Sequence, residues 1–162
     1  MKLSNGRYSL EIETFCLNDT LPFENFPDSN LTNPIVIEQR LVFREDEKII
    51  ISYDVPLKLT TVKDYRGKII KMLDVPIWQM YVLKGRTGSV FSIDGTTAPF
   101  CIGHLCPEFS GLYSMDGKSL YQSYTNSWNA QKFRNVLDKY EISDSVFSAA
   151  NTNGMRIDFL GR

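Results

Sequence analysis

The stretch Ile35-Val36-Ile37-Glu38-Gln39-Arg40-Leu41-Val42-Phe43-Arg44, followed by Glu45-Asp46-Glu47 and then Lys48-Ile49-Ile50-Ile51-Ser52-Tyr53-Asp54-Val55, decides the fold class. Ile35, Ile37, Leu41 and Phe43 fall on one parity of the first run. Ile49, Ile51 and Tyr53 share one parity of the second. Side chains of a strand alternate between faces, so a period of two marks a half-buried strand. The charged tripeptide between the runs reads as a turn, and together they predict an antiparallel hairpin.

Upstream, Tyr8, Leu10 and Ile12 alternate with Ser9, Glu11 and Glu13. Beyond Thr14 the apolar residues Phe15 and Leu17 change parity, which predicts a bulge or a strand covered on both faces. Asn18 to Pro34 carries Pro22, Pro27 and Pro34 among many Asn and Asp residues and reads as a long loop. Loops of that length are often functional. Downstream, Lys68–Leu73, Ile77–Lys84 and Ser89–Ile93 read as strands, with Pro56 and Pro76 interrupting the ladder and Gly85, Gly88 and Gly95 in turns. Leu112 to Tyr124 predicts a second hairpin around Asp116-Gly117, a favoured turn pair. Tyr113 and Tyr121 flank that turn as a candidate cross-strand pair. The tetrapeptide Asp54-Val55-Pro56-Leu57 returns as Asp74-Val75-Pro76-Ile77, but the similarity does not extend and reads as two strands ending alike.

Phe133, Val136, Leu137 and Tyr140 follow the spacing of one helical face, with Ser127 or Asn129 as the cap. Ser145 to Ala150 reads as a short second helix, and Met155, Ile157 and Phe159 alternate in a closing strand. The expectation is a mainly β fold, α+β in class. It would be an antiparallel β-sandwich or open barrel of about eight strands, with one amphipathic helix near the C-terminus.

The 162 residues, 43% hydrophobic and 23% charged, suit a single globular domain over 1–162 that folds without a metal or disulfide scaffold. A net charge of −1 argues against a nucleic-acid partner, which recruits excess Lys and Arg. No transmembrane segment is expected, because no apolar run approaches the 18 residues of a membrane helix. Lys2 is followed by no apolar stretch, so no signal peptide is read here.

Charge is uneven. Met1 to Glu47 has four basic and nine acidic residues, a net of −5; Lys48 to Arg86 has eight basic and three acidic, a net of +5. Such a distribution serves either recognition of an oppositely charged partner or pairing between adjacent strands.

His104 is the sole histidine and lies in Cys101-Ile102-Gly103-His104-Leu105-Cys106. Zinc would need a fourth ligand from Cys16 or a carboxylate. A nucleophilic cysteine would need His104 against Cys101 or Cys106 through space. A candidate disulfide between Cys101 and Cys106 is the plainer reading, which leaves Cys16 as a small buried apolar residue. A Gly-x-Ser-x-Gly elbow, a Walker A loop and a Gly-x-Gly-x-x-Gly turn are all missing from the sequence. Gly85-Arg86-Thr87-Gly88 lacks the Lys-Ser/Thr and the helix of a phosphate loop. Glu108, among Phe100, Phe109 and Tyr113, is a weak candidate for paired-carboxylate chemistry. No cofactor is expected.

Tyr113, Tyr121, Tyr124 and Trp128 cluster around the second hairpin, and Tyr and Trp are favoured at interfaces. With Glu24 and Asp28 of the 18–34 loop they form the candidate partner-binding set. Trp78 and Tyr81 read as core. Residues 8–20, Tyr8-Ser9-Leu10-Glu11-Ile12-Glu13-Thr14-Phe15-Cys16-Leu17-Asn18-Asp19-Thr20, resemble the start of small uncharacterised Bacteroidetes proteins, many of them predicted lipoproteins. The resemblance implies an exported, envelope-facing bacterial β protein and supplies no catalytic residues. The leading expectation is a non-enzymatic protein-binding module, most concretely an immunity or inhibitor protein that neutralises a toxin. Its location would be the periplasm or envelope, with the export segment absent from this chain. The alternatives are a small Cys/His-dependent enzyme and a carbohydrate-binding or surface-assembly subunit.

Overall fold

The computed structural model describes residues 2–22, 32–55, 57–63, 67–96, 108–124, 127–146 and 155–156. Three antiparallel sheets pack together. The first has the order β1 (Lys2–Asn5), β2 (Tyr8–Pro22), β3 (Thr32–Glu45), β4 (Lys48–Asp54). A two-stranded ribbon pairs β5 (Leu59–Lys63) with β6 (Ile69–Leu73). The remaining sheet has the order β10 (Ser119–Tyr124), β9 (Glu108–Ser114), β8 (Ser89–Thr96), β7 (Ile77–Lys84), β11 (Met155–Arg156). Helix α1 spans Ala130–Lys139. Among the described residues the sheets do not close into a barrel.

The expected β3–β4 hairpin forms, with Phe43 opposite Ile51 and Glu45 opposite Lys48. Asp46 and Glu47 turn the chain with positive φ of 47° and 67°, the conformation that a two-residue hairpin loop of the favoured hand requires. Leu10, Ile12, Leu41 and Phe43 line the inner face of the four-stranded sheet. They meet Ile77, Met80, Phe91, Ile93, Phe109 and Tyr113 of the five-stranded one in a single buried cluster. The outer face of the four-stranded sheet is a lattice of ion pairs: Arg44 to Glu11 at 3.2 Å, and Arg40 to Asp54 at 3.1 Å and Glu38 at 3.2 Å. Arg44 and Arg40 thus pair with carboxylates of neighbouring strands, and Arg40 also with Glu38 of its own strand.

The five-stranded sheet is covered on both faces. An extra residue at Trp78 shifts the register of β7 against β8, so Ile77 and Met80 face the first sheet while Tyr81 and Leu83 face the helix. There Tyr81, Leu83, Val90, Leu112 and Tyr121 pack against Phe133, Leu137 and Ile142. Asn129, not Ser127, caps α1: its Oδ1 accepts from the Lys132 amide at 2.9 Å.

Several expectations change. The 18–34 loop gives way to strand at both ends, because β2 runs to Pro22 and β3 starts at Thr32, with Leu21 opposite Asn33. Pro34 is accommodated opposite Thr20 beyond a register shift, where the regular ladder is already interrupted. The register shift expected beyond Thr14 falls between Phe15 and Cys16 and leaves Ile37 of β3 as the extra residue; it does not turn Phe15 and Leu17 inward, and both stay exposed. Strands β1 and β5 were not anticipated. Residues 144–146 form a single helical turn where a second helix was expected to begin at Ser145; the rest of it, and Ile157 and Phe159, lie outside the described residues.

Candidate functional site

Ser119, Tyr121 and Gln122 of β10 form one wall of an open cavity of about 460 Å³. Ser127 and Asn129, in the connection to the helix, form its end. Lys132 and Asn135 of α1 form the opposite wall. The local chemistry that builds this corner is legible residue by residue. The Ser127 hydroxyl accepts from the Tyr124 amide at 2.7 Å and donates to the Tyr124 carbonyl at 2.8 Å, which turns the chain out of β10. The Asn129 amide then donates to the Tyr121 hydroxyl at 3.1 Å, fixing the start of the helix against the sheet. Trp128, between them, packs at 4.8 Å from the Phe133 ring and edge-on to Tyr121 at 5.6 Å, and remains 51% exposed.

The other aromatics of the expected set are placed differently. Tyr113 and Tyr121 do not pair across strands. Ser119 lies opposite Tyr113, Tyr121 lies opposite Leu112, and the bulge between them sends the two rings to opposite faces. Tyr113 is fully buried against Phe43, with centroids 5.5 Å apart, so it presents no surface to a partner. Its hydroxyl accepts from Gln122 Nε2 at 2.9 Å, and burial pushes its phenol up to about 12. Tyr121 is 6% exposed and belongs to the layer beneath the helix. Tyr124 donates to the Asp74 carboxylate and lies 5.8 Å from the Lys58 ammonium, tying the β5–β6 ribbon to the large sheet. Of that set only Trp128 is both aromatic and well exposed. Glu24, Asp28, Cys101, His104 and Cys106 lie outside the described residues. Cys16, expected to be buried, is exposed on β2, and partial desolvation raises its thiol pKa, which disfavours the nucleophilic thiolate.

A polar row on the helix-facing side of the large sheet escaped the sequence reading. In register, Gln79 faces Asp94, Asp94 faces Ser110, and Ser110 faces Ser123. The Asp94 carboxylate accepts from Ser110 Oγ at 2.7 Å and from the Tyr81 hydroxyl. Burial raises the Asp94 pKa, and the two hydroxyl donors partly oppose that. Burial chiefly, with the Asp94 charge second, raises Tyr81 as well. The signal of this row in the sequence is only that Asp94 continues the alternation of Ser89–Ile93 on the Ser92 side. Among the described residues no three His, Cys, Asp or Glu side chains come close enough together to hold a metal ion. No described helix is long and apolar enough to cross a membrane.

The second exposed feature is the far end of the β2–β3 hairpin. β1 pairs with β2 only over Tyr8–Glu11, and β4 pairs with β3 only over Arg40–Glu45. Beyond those limits the hairpin continues as a two-stranded arm, whose Ile35 packs on Ile70 and Met72 of the ribbon. Phe15 and Leu17 stand on this arm at 43% and 41% exposure, with the Arg40 guanidinium 5.9 Å from the Phe15 ring.

No protein-family model matches the chain, and no curated protein or solved structure compared with it matches either.

Proposed function

We propose that the chain is a protein-binding module in which an antiparallel sandwich holds out the β2–β3 arm as its recognition element. The observation that carries this reading is the exposure of Phe15 and Leu17 on a hairpin that has outrun its neighbouring strands. Two nearby apolar side chains of that size, with the Arg40 guanidinium over the Phe15 ring, have the composition of an interface centre. In sequence the arm leads to Glu24 and Asp28, which would add an acidic rim. The most concrete form is an immunity or inhibitor protein that blocks a basic site on a bacterial toxin. An exported location in the periplasm or envelope goes with it, on the strength of the resemblance at residues 8–20.

The test compares the native chain with a Phe15→Ser/Leu17→Ser double variant in affinity capture from the source cells, read by quantitative mass spectrometry. A specific partner retained by the native chain and depleted about tenfold by the variant supports the reading. A partner captured equally by both, or none at all, overturns it.

A further inference from the structure

We infer that the cavity between β10 and α1 is a saccharide-binding site, independent of the arm. Among the described residues its polar lining is neutral except for Lys132, and it has unused hydrogen-bonding capacity. Gln122 gives its Nε2 to Tyr113 on the face of β10 turned away from α1, so its carboxamide is not among the groups that meet a ligand. Asn129 uses Oδ1 on the Lys132 amide, and Asn135 uses Oδ1 on Gln131, so each keeps its Nδ2 as a donor. Ser119 adds a hydroxyl that can act either way. Side-chain amides and hydroxyls in this mixture complement vicinal diols, whose oxygens donate and accept at once.

The alternatives fit less well. A divalent cation would need carboxylates, and among the described residues the lining has none. A polyanion would need several cations, and Lys132 is the only one among the described lining residues. A drug-like apolar ligand would need more wall than Leu120 and Tyr121 supply. Beside the cavity, the half-exposed Trp128 ring offers a flat apolar surface of the kind the C–H face of a pyranose packs on. The openness of the groove predicts weak binding per site, because little of the ligand is desolvated. Lys132 allows an acidic sugar as well as a neutral one.

The experiment is a glycan array of neutral and uronic or sialic acid-bearing oligosaccharides probed with the labelled full chain. Any hit is then titrated by NMR against the native chain, Trp128→Ala and Asn135→Ala. The expected result is a saturable shift of the Trp128 indole N–H, with binding about tenfold weaker in each variant. Asn135 is exposed on the helix, so its variant keeps the test meaningful if the loss of Trp128 disturbs packing. Lys132→Gln distinguishes the two sugar classes: acidic hits weaken and neutral hits do not. An array without hits overturns the inference, as does binding that both Trp128→Ala and Asn135→Ala leave unchanged.

Discussion

Gln39 clasps the main chain of Ile77 with both ends of its carboxamide. Its Nε2 donates to the Ile77 carbonyl at 2.7 Å, and its Oε1 accepts from the Ile77 amide at 2.6 Å. Gln39 belongs to β3 and is 1% exposed; Ile77 opens β7 in the opposing sheet. A buried side chain thus joins two sheets that share no backbone ladder. Replacement by Leu would leave a buried amide and carbonyl of Ile77 without these partners. Gln39→Leu is expected to lose about 3 kcal/mol, measured by urea denaturation, with an unchanged m-value.

Gly117 closes the β9–β10 turn at φ +86° and lies against the other sheet; a Cβ there would come within 2.8 Å of Phe43 Cγ and would also meet Ile51. Both the left-handed backbone and the close approach exclude a side chain. Gly117→Ala should cost about 2–4 kcal/mol. The melting temperature is the readout, and a variant as stable as the native chain would show that the turn does not seat on the first sheet.

The Tyr124 phenol, at the end of β10, and the Asp74 carboxylate, in the connection from β6 to β7, join residues 50 apart in sequence. Tyr124→Phe removes the donor without changing the ring. A loss of about 1.5 kcal/mol is expected, as for a hydrogen bond to a charged acceptor. A double-mutant cycle with Asp74→Ala should show the two losses to be non-additive.

The raised Asp94 pKa means that the native protein binds this proton more tightly than the unfolded chain does. Its contribution to stability is therefore fully present below the ordinary Asp value of about 3.9, and is lost as pH rises through the higher native value. Asp94→Asn does not titrate. As pH falls from about 7 towards 4, the native protein should gain stability relative to this variant. Chemical denaturation of the pair at several pH values measures the difference, and a pH-independent gap would place Asp94 in a solvated setting instead.

What the sequence disclosed follows from what local patterns encode. The β3–β4 hairpin, the Asp116-Gly117 turn and the face of α1 depend on residues near each other in the chain, and all three were legible. Lys2–Asn5 and Leu59–Lys63 were missed because four or five residues make too short a pattern to stand out without the strands that complete them. The 18–34 segment misled because its prolines suggested a broken chain, whereas a hairpin arm beyond the sheet can accept Pro22 and Pro34 at its irregular end. The candidate site was legible at Trp128 and at the Asn129 cap. The burial of Tyr113 was not, because a bulge between Ser119 and Tyr121 decides which face each ring takes. The Asp94 network depends on register among four strands and has no local signature.

Because the five-stranded sheet is roofed on one side by α1 and floored on the other by the first sheet, its inner strand β8 has no route to solvent short of dismantling a whole layer. Deuterium should enter the amides of Val90 to Ile93 only when the entire molecule opens, while those on the outer strand β4 exchange through local fraying. The molecule therefore carries its own internal clock: exchange at Ser92 times global opening, and exchange at Ile50 times the loosening of a margin.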